Sequence, residues 1–522
     1  MPHFGWLDWL VVGAYFSALV IAGIAFQPKA TKDSRDYFLA DNKIPSWLAA
    51  VSVLAATQSA ATFLGAPDYG YRGDLTYLGT NIGTLLAAYF VGRIFIPRFY
   101  KMRAATVYEL LKVRFGNAAM RAAGGMFLLG RVLAGGARVY LAAIAISMII
   151  FSNVTVSGIV LATFLIVAVS FGFSFVGGLK SVIWNDLVQF VIYIGSAIGV
   201  LIFLRCLIPS TTSEIMSGLI NTPGGTNKLR VFDFSADFSL PFSIFSICTG
   251  HFLLNVGNFG MDQDTTQRLL ASKNSKAGAA SLYISALAAI PVIFIFMLIG
   301  LLLYVFYNRP DLMHTTGDRL ADMKFHGDTV TVFMYFILTE IPAGLRGLAT
   351  VGVIAAAVST TNSALNAMSS VMIQDFYKPW MEKRKVVAEE HFVVAGRYGM
   401  AIMGLLTFVM SIICYFWQNA MHTPLLQFVL SIMTFSYSGL LGVYFTAMFT
   451  RRGSNTSVIL ALIMGFVVIL AMQPWFPLRL GLPIFLTKLA FTWQLCIGAA
   501  IAFLVCAAAK GSDINTANGV SS

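Results

Sequence analysis

The chain is organised as a succession of apolar segments separated by short polar loops. Most are close to the length of about 20 residues that an α-helix needs to cross a bilayer. They lie near 6–26, 46–66, 76–97, 123–150, 158–178, 182–208, 241–262, 279–307, 346–371, 395–417, 425–449, 457–476 and 488–508. An apolar piece at 330–344 is too short and interrupted to span, so we expect it in an outer loop. The pattern predicts an all-α integral membrane protein, a single domain over 1–522 with about 13 transmembrane helices.

The composition leads to the same fold class. Of the 522 residues, 58% are hydrophobic and 11% are charged, whereas a soluble domain is about half apolar and about a quarter charged. So few charges cannot cover a water-facing surface of this size, and the lipid bilayer is therefore the expected solvent.

The net charge of +12 has a distribution that is typical of membrane proteins. Basic residues lie in short loops between alternate pairs of segments, as at 29–43, 98–121 and 378–397, and not on one continuous face. This argues against a nucleic-acid partner, and the positive-inside rule places the basic loops in the cytoplasm. An odd number of spans then predicts the N-terminus outside and the C-terminus inside, in a plasma membrane such as the bacterial inner membrane.

Polar clusters inside apolar segments are candidates for function, because unpaired polar groups are costly in hydrocarbon. The second segment contains LAATQSAATFLGAP at 54–67, in which Gly65 and Pro67 are expected to interrupt the helix. Close helix packing through small and hydroxyl residues is the alternative for this segment. The seventh segment contains HFLLNVGNFG at 251–260, whose two glycines and two asparagines predict a second break.

The spacing of the two predicted breaks suggests internal symmetry. Interrupted helices at corresponding places in two halves are typical of transporters with inverted repeats and a binding site near the membrane midplane. We therefore predict inverted repeats at 46–208 and 241–449, with peripheral helices at 6–26 and 457–508.

Two further clusters suggest a cation site. In the ninth segment Ser359, Asn362 and Ser363 share one helix face. Sodium is a hard cation, and hydroxyls together with the free carbonyls of a broken helix supply oxygen ligands for it. Asp186, near the start of the sixth segment, either faces the core as a cation ligand or pairs with Lys180 at the membrane interface.

Three motifs in these segments resemble those of the solute:sodium symporter family. GGLKSVIWNDLVQ at 177–189 resembles its Gly-Gly-x-x-(Ala/Ser)-Val-x-x-(Thr/Asn)-Asp-x-x-Gln stretch, and DQDTTQR at 262–268 resembles its Asp-Gln-x-x-x-Gln-Arg motif. AAVSTTNSALN at 356–366 resembles the pattern of its sodium helix. The resemblance runs from about 6 to 450 and includes the sodium–galactose and sodium–sialic acid carriers. It implies a LeuT-type five-plus-five inverted repeat with two broken helices, Na+ as the coupled ion, and transport rather than an enzyme activity.

The resemblance also implies sodium ligands. The main sodium site would use backbone oxygens of the first three residues and hydroxyls of the last two in the set Ala55, Gln58, Ala356, Ser359 and Thr360. Some members bind a second sodium, and the matching residues are Asp186, Ser359, Asn362 and Ser363. One or two sodium ions remain open, because Asn362 departs from the serine of one branch.

For the solute, the resemblance implies a pocket lined by polar residues of the second, third and seventh segments. These residues are Thr57, Ser59, Thr62, Asn81, Asn255 and Asn258. The arginine that sialic-acid members use for a carboxylate falls at Ala134, between Arg131 and Arg138, which share one helix face. We add both arginines to the substrate-binding residues, because a buried arginine needs a partner and a carboxylate supplies one. The alternative is that one arginine extends to an interface and the other binds backbone carbonyls.

The sequence therefore predicts a sodium-coupled secondary active symporter that imports a small polar solute by alternating access and functions as a monomer. An organic anion such as a sialic acid or a monocarboxylate is the expected solute, with a sugar or an amino acid as open alternatives. A sodium channel and a transporter-like membrane sensor are the rival functions. A channel usually needs oligomeric symmetry, and a sensor would need a separate signalling partner. An enzyme is not expected, since the predicted spans contain no His-Glu-x-x-His or Gly-x-Ser-x-Gly motif.

Overall fold

The computed structural model describes residues 4–25, 34–151, 155–315, 324–325, 328–329, 331–421, 425–473, 483 and 485–511. Within these ranges nine helices are long and apolar enough to cross a membrane, and one bent helix pair would make a tenth span. Two shorter apolar helices begin at Trp6 and at Asn455. The prediction of an all-α, multi-pass membrane protein is therefore confirmed, whereas the count of 13 is not.

The described elements follow one another in two groups. The first group of α-helices comprises α1 (Trp6–Ala25), α2 (Ser34–Leu39), α3 (Ser46–Thr57), α4 (Ala60–Arg72), α5 (Thr76–Met102), α6 (Glu109–Phe115), α7 (Asn117–Phe151), α8 (Val156–Leu207) and α9 (Thr212–Ile220). The second comprises α10 (Ile244–Ser246), α11 (Phe252–Gly260), α12 (Gln263–Leu270), α13 (Ser275–Asn308), α14 (Pro310–Met313), α15 (Val332–Thr339), α16 (Leu345–Val371), α17 (Lys378–Met381), α18 (Glu389–Met421), α19 (Leu425–Phe449), α20 (Asn455–Ala471), α21 (Phe485–Lys488) and α22 (Phe491–Ala508). A 3-10 turn (Ala40–Asn42), two π-helical turns (Ile247–His251 and Met372–Tyr377) and an antiparallel hairpin of β1 (Lys324–Phe325) and β2 (Asp328–Thr329) complete them.

The second predicted span is broken, and the break lies at Gln58 and Ser59. Helices α3 and α4 meet there at 65°. Gln58 has extended backbone angles (φ −81°, ψ 119°). The Ser59 hydroxyl then caps α4 by accepting a hydrogen bond from the amide of Ala61, 3.3 Å away. A serine in this role stabilises a new helix start, so the chain turns before α4 begins.

Gly65 and Pro67 do not interrupt the helix, and that expectation was wrong. Both lie inside α4, at helix crossings. A Cβ atom on Gly65 would lie 3.1 Å from the Cβ of Leu426 in α19, and one on Gly300 in α13 would lie 2.2 Å from the Pro67 carbonyl oxygen. Close packing therefore explains these residues, and sequence alone does not separate a packing glycine from a helix breaker.

The seventh predicted span departs from the expectation in a similar way. Its first part contains the π-helical turn Ile247–His251, and α11 then runs without interruption to Gly260. Asn255 and Asn258 consequently lie on one continuous helix. The predicted break within 251–260 is displaced to its two ends, the π-helical turn and the turn at Asp262 that begins α12. Single π-helical turns are frequent at functional sites.

Helix α8 covers the fifth and sixth predicted spans and bends at Gly178. This residue has a left-handed backbone (φ 58°), and a Cβ atom there would lie 2.6 Å from the carbonyl oxygen of Tyr37. Only glycine meets both requirements without strain. The bend turns the second half of α8, which carries Asp186, against α3 and α16.

Helix α16 occupies the centre of the molecule. It packs against α8, α7 and α18, and 94% of the apolar window in its span is buried. The polar residues of the ninth predicted span therefore face other helices and not lipid. Helix α15 occupies Val332–Thr339 within the apolar piece at 330–344 and is only 8 residues long, too short to span.

Candidate functional site

A cavity of ≈ 120 Å³ lies beside the break between α3 and α4. Helices α5, α7, α11, α13 and α19 form its other walls. Seven of the eight predicted solute residues line it, and these are Thr57, Ser59, Thr62, Asn81, Arg138, Asn255 and Asn258. The structure thus brings together hydroxyls, amides and one guanidinium from five separate helices and the α3–α4 connection.

Arg138 supplies the positive charge of this cavity. One of its terminal nitrogens lies 3.3 Å from the sulfur of Met433, and its Nε is buried without a hydrogen-bond partner among the residues that the structure describes. No ion pair joins Arg138 to any carboxylate among the described residues. A guanidinium of this kind is ready to bind an anion.

The cavity amides combine helix bonding with unused capacity. Asn81 Nδ2 donates to the Leu78 carbonyl at 2.8 Å, whereas its Oδ1 is buried and accepts no hydrogen bond from any described residue. Asn255 Nδ2 donates to the His251 carbonyl at 3.0 Å. Each amide is thereby held in place on its helix, so a solute would meet oriented polar groups.

His251 is a cavity residue that sequence reasoning missed. Its side chain is buried, it lines the cavity from the π-helical turn, and neither ring nitrogen has a partner in the described part of the chain. The rings of Phe242 and Phe491 lie 5.7 and 6.0 Å from it. The sequence does contain an indication of this site, because a histidine inside an apolar segment is unusual.

A second, smaller cavity contains most of the predicted main sodium site. Ala55, Gln58, Ala356 and Ser359 all line it, so the broken end of α3 faces the middle of α16. Thr360 is adjacent and donates its hydroxyl hydrogen to the Ala356 carbonyl at 2.9 Å. Carbonyl oxygens of a helix end and side-chain hydroxyls therefore converge here.

Asp186 is fully buried and lies beside this cavity. One of its carboxylate oxygens accepts from the Ser359 hydroxyl at 2.7 Å. The other accepts from the Ser52 hydroxyl at 2.6 Å and from Arg268 at 3.2 Å. Lys180 is exposed, so the alternative that Asp186 pairs with Lys180 at the interface is wrong.

The four residues predicted for a second sodium do not all meet in this structure. Asp186 and Ser359 are hydrogen-bonded. The Ser363 hydroxyl lies 3.3 Å from Asp264, and Asn362 Oδ1 accepts a hydrogen bond from Ser174. Asn362 and Ser363 therefore bind side chains outside the predicted set.

Arg131 is the one predicted solute residue that lies outside the larger cavity, and it is buried in an ion pair. It binds Asp262 at 3.1 Å and also contacts Asp264, and it lines a separate small cavity together with Arg138. Both partners lie inside the protein, because Asp262 caps the start of α12 and Asp264 lies in its first turn. These residues belong to the 262–268 motif, whose charge pairing the sequence did not reveal.

The buried charges form one connected cluster. Asp264 also contacts Arg268, which binds Asp186, and Tyr437 donates to Asp262 at 2.6 Å. The cluster comprises Arg131, Asp186, Asp262, Asp264 and Arg268, all 4% exposed or less. Three carboxylates against two guanidiniums leave one negative charge when all are ionised. This excess favours a monovalent cation nearby.

Comparisons with known proteins identify related sequences and a related fold. The family model described as "Sodium:solute symporter family" matches residues 37–465. The sodium/sialic acid symporter SiaT of Proteus mirabilis is 26% identical, with 90% of each chain covered. The sodium/sialic acid symporter NanT of Aliivibrio fischeri is 27% identical over 90% of this chain and 88% of the relative. The human sodium-coupled monocarboxylate transporter 2 is 27% identical over 72% of this chain and 59% of its own length.

A solved structure confirms the fold. The substrate-bound, outward-open state of a Na+-coupled sialic acid symporter superimposes with a TM-score of 0.79. The match covers 98% of this chain and 99% of that chain at 22% sequence identity.

Proposed function

The chain belongs to the sodium:solute symporter family, which consists of sodium-coupled transporters and not of enzymes, and from this premise we propose that it carries a small organic anion together with sodium. The observation that supports the anion is Arg138, a cation without an ion pair among the described residues, in a cavity of hydroxyls and amides. Family membership also favours a symporter over the channel and sensor alternatives.

A carboxylate is the anion that fits these groups best. In a membrane protein a buried guanidinium is costly unless it is paired, and a carboxylate can accept two parallel hydrogen bonds from it. Thr57, Ser59 and Thr62 supply hydroxyls for further polar groups of the solute. The relatives that are named for sialic acid and for monocarboxylates agree with this choice, since both solutes are carboxylic acids.

The proposed main sodium site is the small cavity between α3 and α16. Ala55, Gln58 and Ala356 would provide backbone oxygens, and Ser359 and Thr360 would provide hydroxyls. Sodium placed there would hold the broken end of α3 against α16. Loss of the ion would free the two elements to separate, which is the kind of movement that alternating access requires.

A second sodium at Asp186 is the finer part of the proposal. The carboxylate is bound by Arg268 in this structure, so an ion would share it with the guanidinium or replace that contact. Ser359 belongs to both proposed sites, which makes the two ions interdependent.

We also propose that the inverted repeats comprise residues 46–208 and 241–449. In this proposal the N-terminus lies outside, the C-terminus lies in the cytoplasm, and the monomer is the functional unit.

Uptake by purified protein in liposomes tests the solute class. Under an inward sodium gradient we compare a sialic acid, a short monocarboxylate, a neutral hexose and proline. Arg138→Lys keeps the charge but loses the planar fork, so the Michaelis constant for the transported anion should rise about tenfold or more. Arg98→Gln, outside the cavity, is the matched control.

This experiment distinguishes an anionic solute from a neutral or zwitterionic one. Transport of only the hexose or proline, with a Michaelis constant unchanged in Arg138→Lys, would reject the anion and leave the family assignment intact. Arg131→Lys should behave differently from Arg138→Lys, because Arg131 holds the buried carboxylates. We expect its main effect on folded yield and melting temperature.

A further inference from the structure

A large apolar cleft lies on the outer surface of the helix bundle, away from the solute and sodium cavities. Its volume is ≈ 680 Å³, and it opens between the π-helical turn Met372–Tyr377, α17 and the first half of α18. Its apolar lining includes Phe376, Trp380, Val394 and Ile402. None of its lining residues belongs to the proposed solute or sodium sites.

One end of the cleft carries a positive charge. Arg121, near the start of α7, lines it, and its Nε is buried without a hydrogen-bond partner within the described ranges. No ion pair connects Arg121 to a carboxylate in the part of the chain that the structure describes. The guanidinium of Arg384 lies 4.1 Å above the ring of Trp380. Arg121 and Arg384 therefore add positive charge to a cleft whose lining is mostly apolar.

Aromatic side chains with polar ends also line the cleft. Trp380 is 45% exposed and Tyr398 is 69% exposed. The Tyr377 hydroxyl lies 2.8 Å from Nε2 of His391, and both residues line the cleft. Tryptophan and tyrosine in such positions are typical of the membrane–water interface. The cleft therefore spans the boundary between acyl chains and headgroups.

We propose that this cleft binds an anionic glycerophospholipid, with an acyl chain in the apolar interior and the phosphate headgroup at Arg121. We choose an anionic lipid because the positive Arg121 guanidinium complements a negatively charged phosphate, whereas an acyl chain alone would need no charged partner. Basic pockets between transmembrane helices on the cytoplasmic side commonly bind anionic headgroups. The basic loop after α17 places the cleft on the side that the positive-inside rule assigns to the cytoplasm.

The lipid would contact the helix that carries the proposed sodium hydroxyls. The π-helical turn Met372–Tyr377 continues directly from α16, on which Ser359 lies. A lipid wedged against this turn stabilises the inner end of α16. Occupancy should therefore raise the melting temperature of the full chain.

Lipid binding to the purified protein tests the proposal. Phosphatidylglycerol and phosphatidylcholine with identical acyl chains are added in detergent, and retained lipid is measured by native mass spectrometry together with the melting temperature. The wild type should prefer phosphatidylglycerol, and Arg121→Gln should lower this preference about fivefold, the equivalent of one basic residue at an anionic surface. Arg98→Gln, which removes a basic residue outside the cleft, should leave it unchanged.

A second variant tests the apolar interior. Ala395→Phe fills the cleft and should reduce retention of both lipids, whereas Val409→Phe, on the exposed face of α18 outside the cleft, should not. Where Ala395→Phe does not fold, Val394→Trp fills the cleft from an exposed position.

Three outcomes overturn the proposal. The first is an equal phosphatidylglycerol preference in the wild type and Arg121→Gln. The second is equal protection of the wild type by inorganic phosphate, which would indicate a free-anion site. Pairing of two protein copies through the cleft would appear in the same spectra as a dimer lost in Ala395→Phe, and it would also reject a lipid occupant.

Discussion

Asp186 illustrates how a single buried carboxylate joins several parts of the protein. Its oxygens accept hydrogen bonds from Ser52 on α3, from Ser359 on α16 and from Arg268 on α12. A charged carboxylate away from water is stable only with such partners. The same oxygens are those that a sodium ion would bind, so ion binding and helix contacts compete for one group.

At this residue we predict that Asp186→Asn weakens sodium coupling. The amide keeps the shape but not the charge, so a second sodium would be lost while the proposed main site remains. Sodium titration of uptake should show a lower maximal rate and a Hill coefficient that falls from about 2 towards about 1. The matched control is Lys180→Gln, which removes an exposed charge six positions away.

The outcome separates ion binding from simple structural support. Arg268 keeps its contact with Asp264 in the variant, so the melting temperature without sodium should change little. An unchanged Hill coefficient with normal uptake would exclude Asp186 as a sodium ligand.

Arg131 and Arg138 show that one residue type on one helix face meets two different environments. The former is neutralised by α12, and the latter faces the solute cavity. Their surroundings differ because different elements pack against α7 beside each arginine. The comparison of the two Arg→Lys variants proposed above therefore distinguishes a structural arginine from a binding arginine within one helix.

At the scale of elements, the bend in α8 depends on Gly178. We predict that Gly178→Ala destabilises the folded protein by about 2 kcal/mol or more, since a left-handed backbone costs an L-residue about 1–2 kcal/mol and the new Cβ would meet the Tyr37 carbonyl. Gly172→Ala on the same helix is the matched control, because nothing lies within 4 Å of the Cβ it would add. Thermal unfolding in detergent measures both, and equal stabilities would contradict the role given to Gly178.

The loop between α9 and α10 is fastened to the transmembrane helices by Lys228. Its ammonium group donates to the carbonyls of Tyr71 and Gly73, both at 2.7 Å, and lies 4.1 Å above the ring of Tyr304. The contact ties the loop to the end of α4 and to α13. Burial lowers the pKa of Lys228 to about 8.

This lowered pKa predicts a pH-dependent stability. Between about pH 8 and about pH 10 the folded state holds fewer protons at Lys228 than the unfolded state, whose pKa is near the ordinary value. The free energy of unfolding should therefore rise with pH across this window. Lys228→Met should lack this contribution, which comparison of melting temperatures at pH 7.5 and 10 reveals. An identical pH slope in both proteins would show that burial of Lys228 does not set it.

At the scale of the whole molecule, sodium should act as a stabilising ligand. Helix α16 contacts most of the bundle, and the proposed main site joins it to α3. A ligand that binds only the folded state at about 100 times its dissociation constant adds about 2.7 kcal/mol to the free energy of unfolding. The melting temperature should consequently rise with sodium chloride and not with potassium chloride.

The double variant Ser359→Ala, Thr360→Ala should abolish the difference between the two salts. Thr361→Ala is a suitable control, since its hydroxyl donates to the Ala357 carbonyl on the same helix and belongs to neither proposed sodium site. A full sodium response in the double variant would reject the site between α3 and α16.

The sequence by itself determined the class of the protein. Long apolar segments, scarce charges and basic alternate loops are properties of neighbouring residues, so they are legible without a structure. The three motifs led to the family, which the family match confirms. The resemblance also led to six of the seven predicted residues that line one cavity, and the need of a buried arginine for a partner led to the seventh, Arg138.

Only the tertiary structure decided which charges meet and where the helices bend. Arg131 and Asp262 are 131 positions apart, and Ser359 and Asp186 are 173 positions apart. No pattern within one segment encodes such pairings, because they depend on how whole helices cross. The break at Gln58 and the continuous helix through Asn255 also depend on how whole helices pack against one another. Hydropathy is a sum over neighbours in sequence, whereas electrostatic pairing and packing act between neighbours in space.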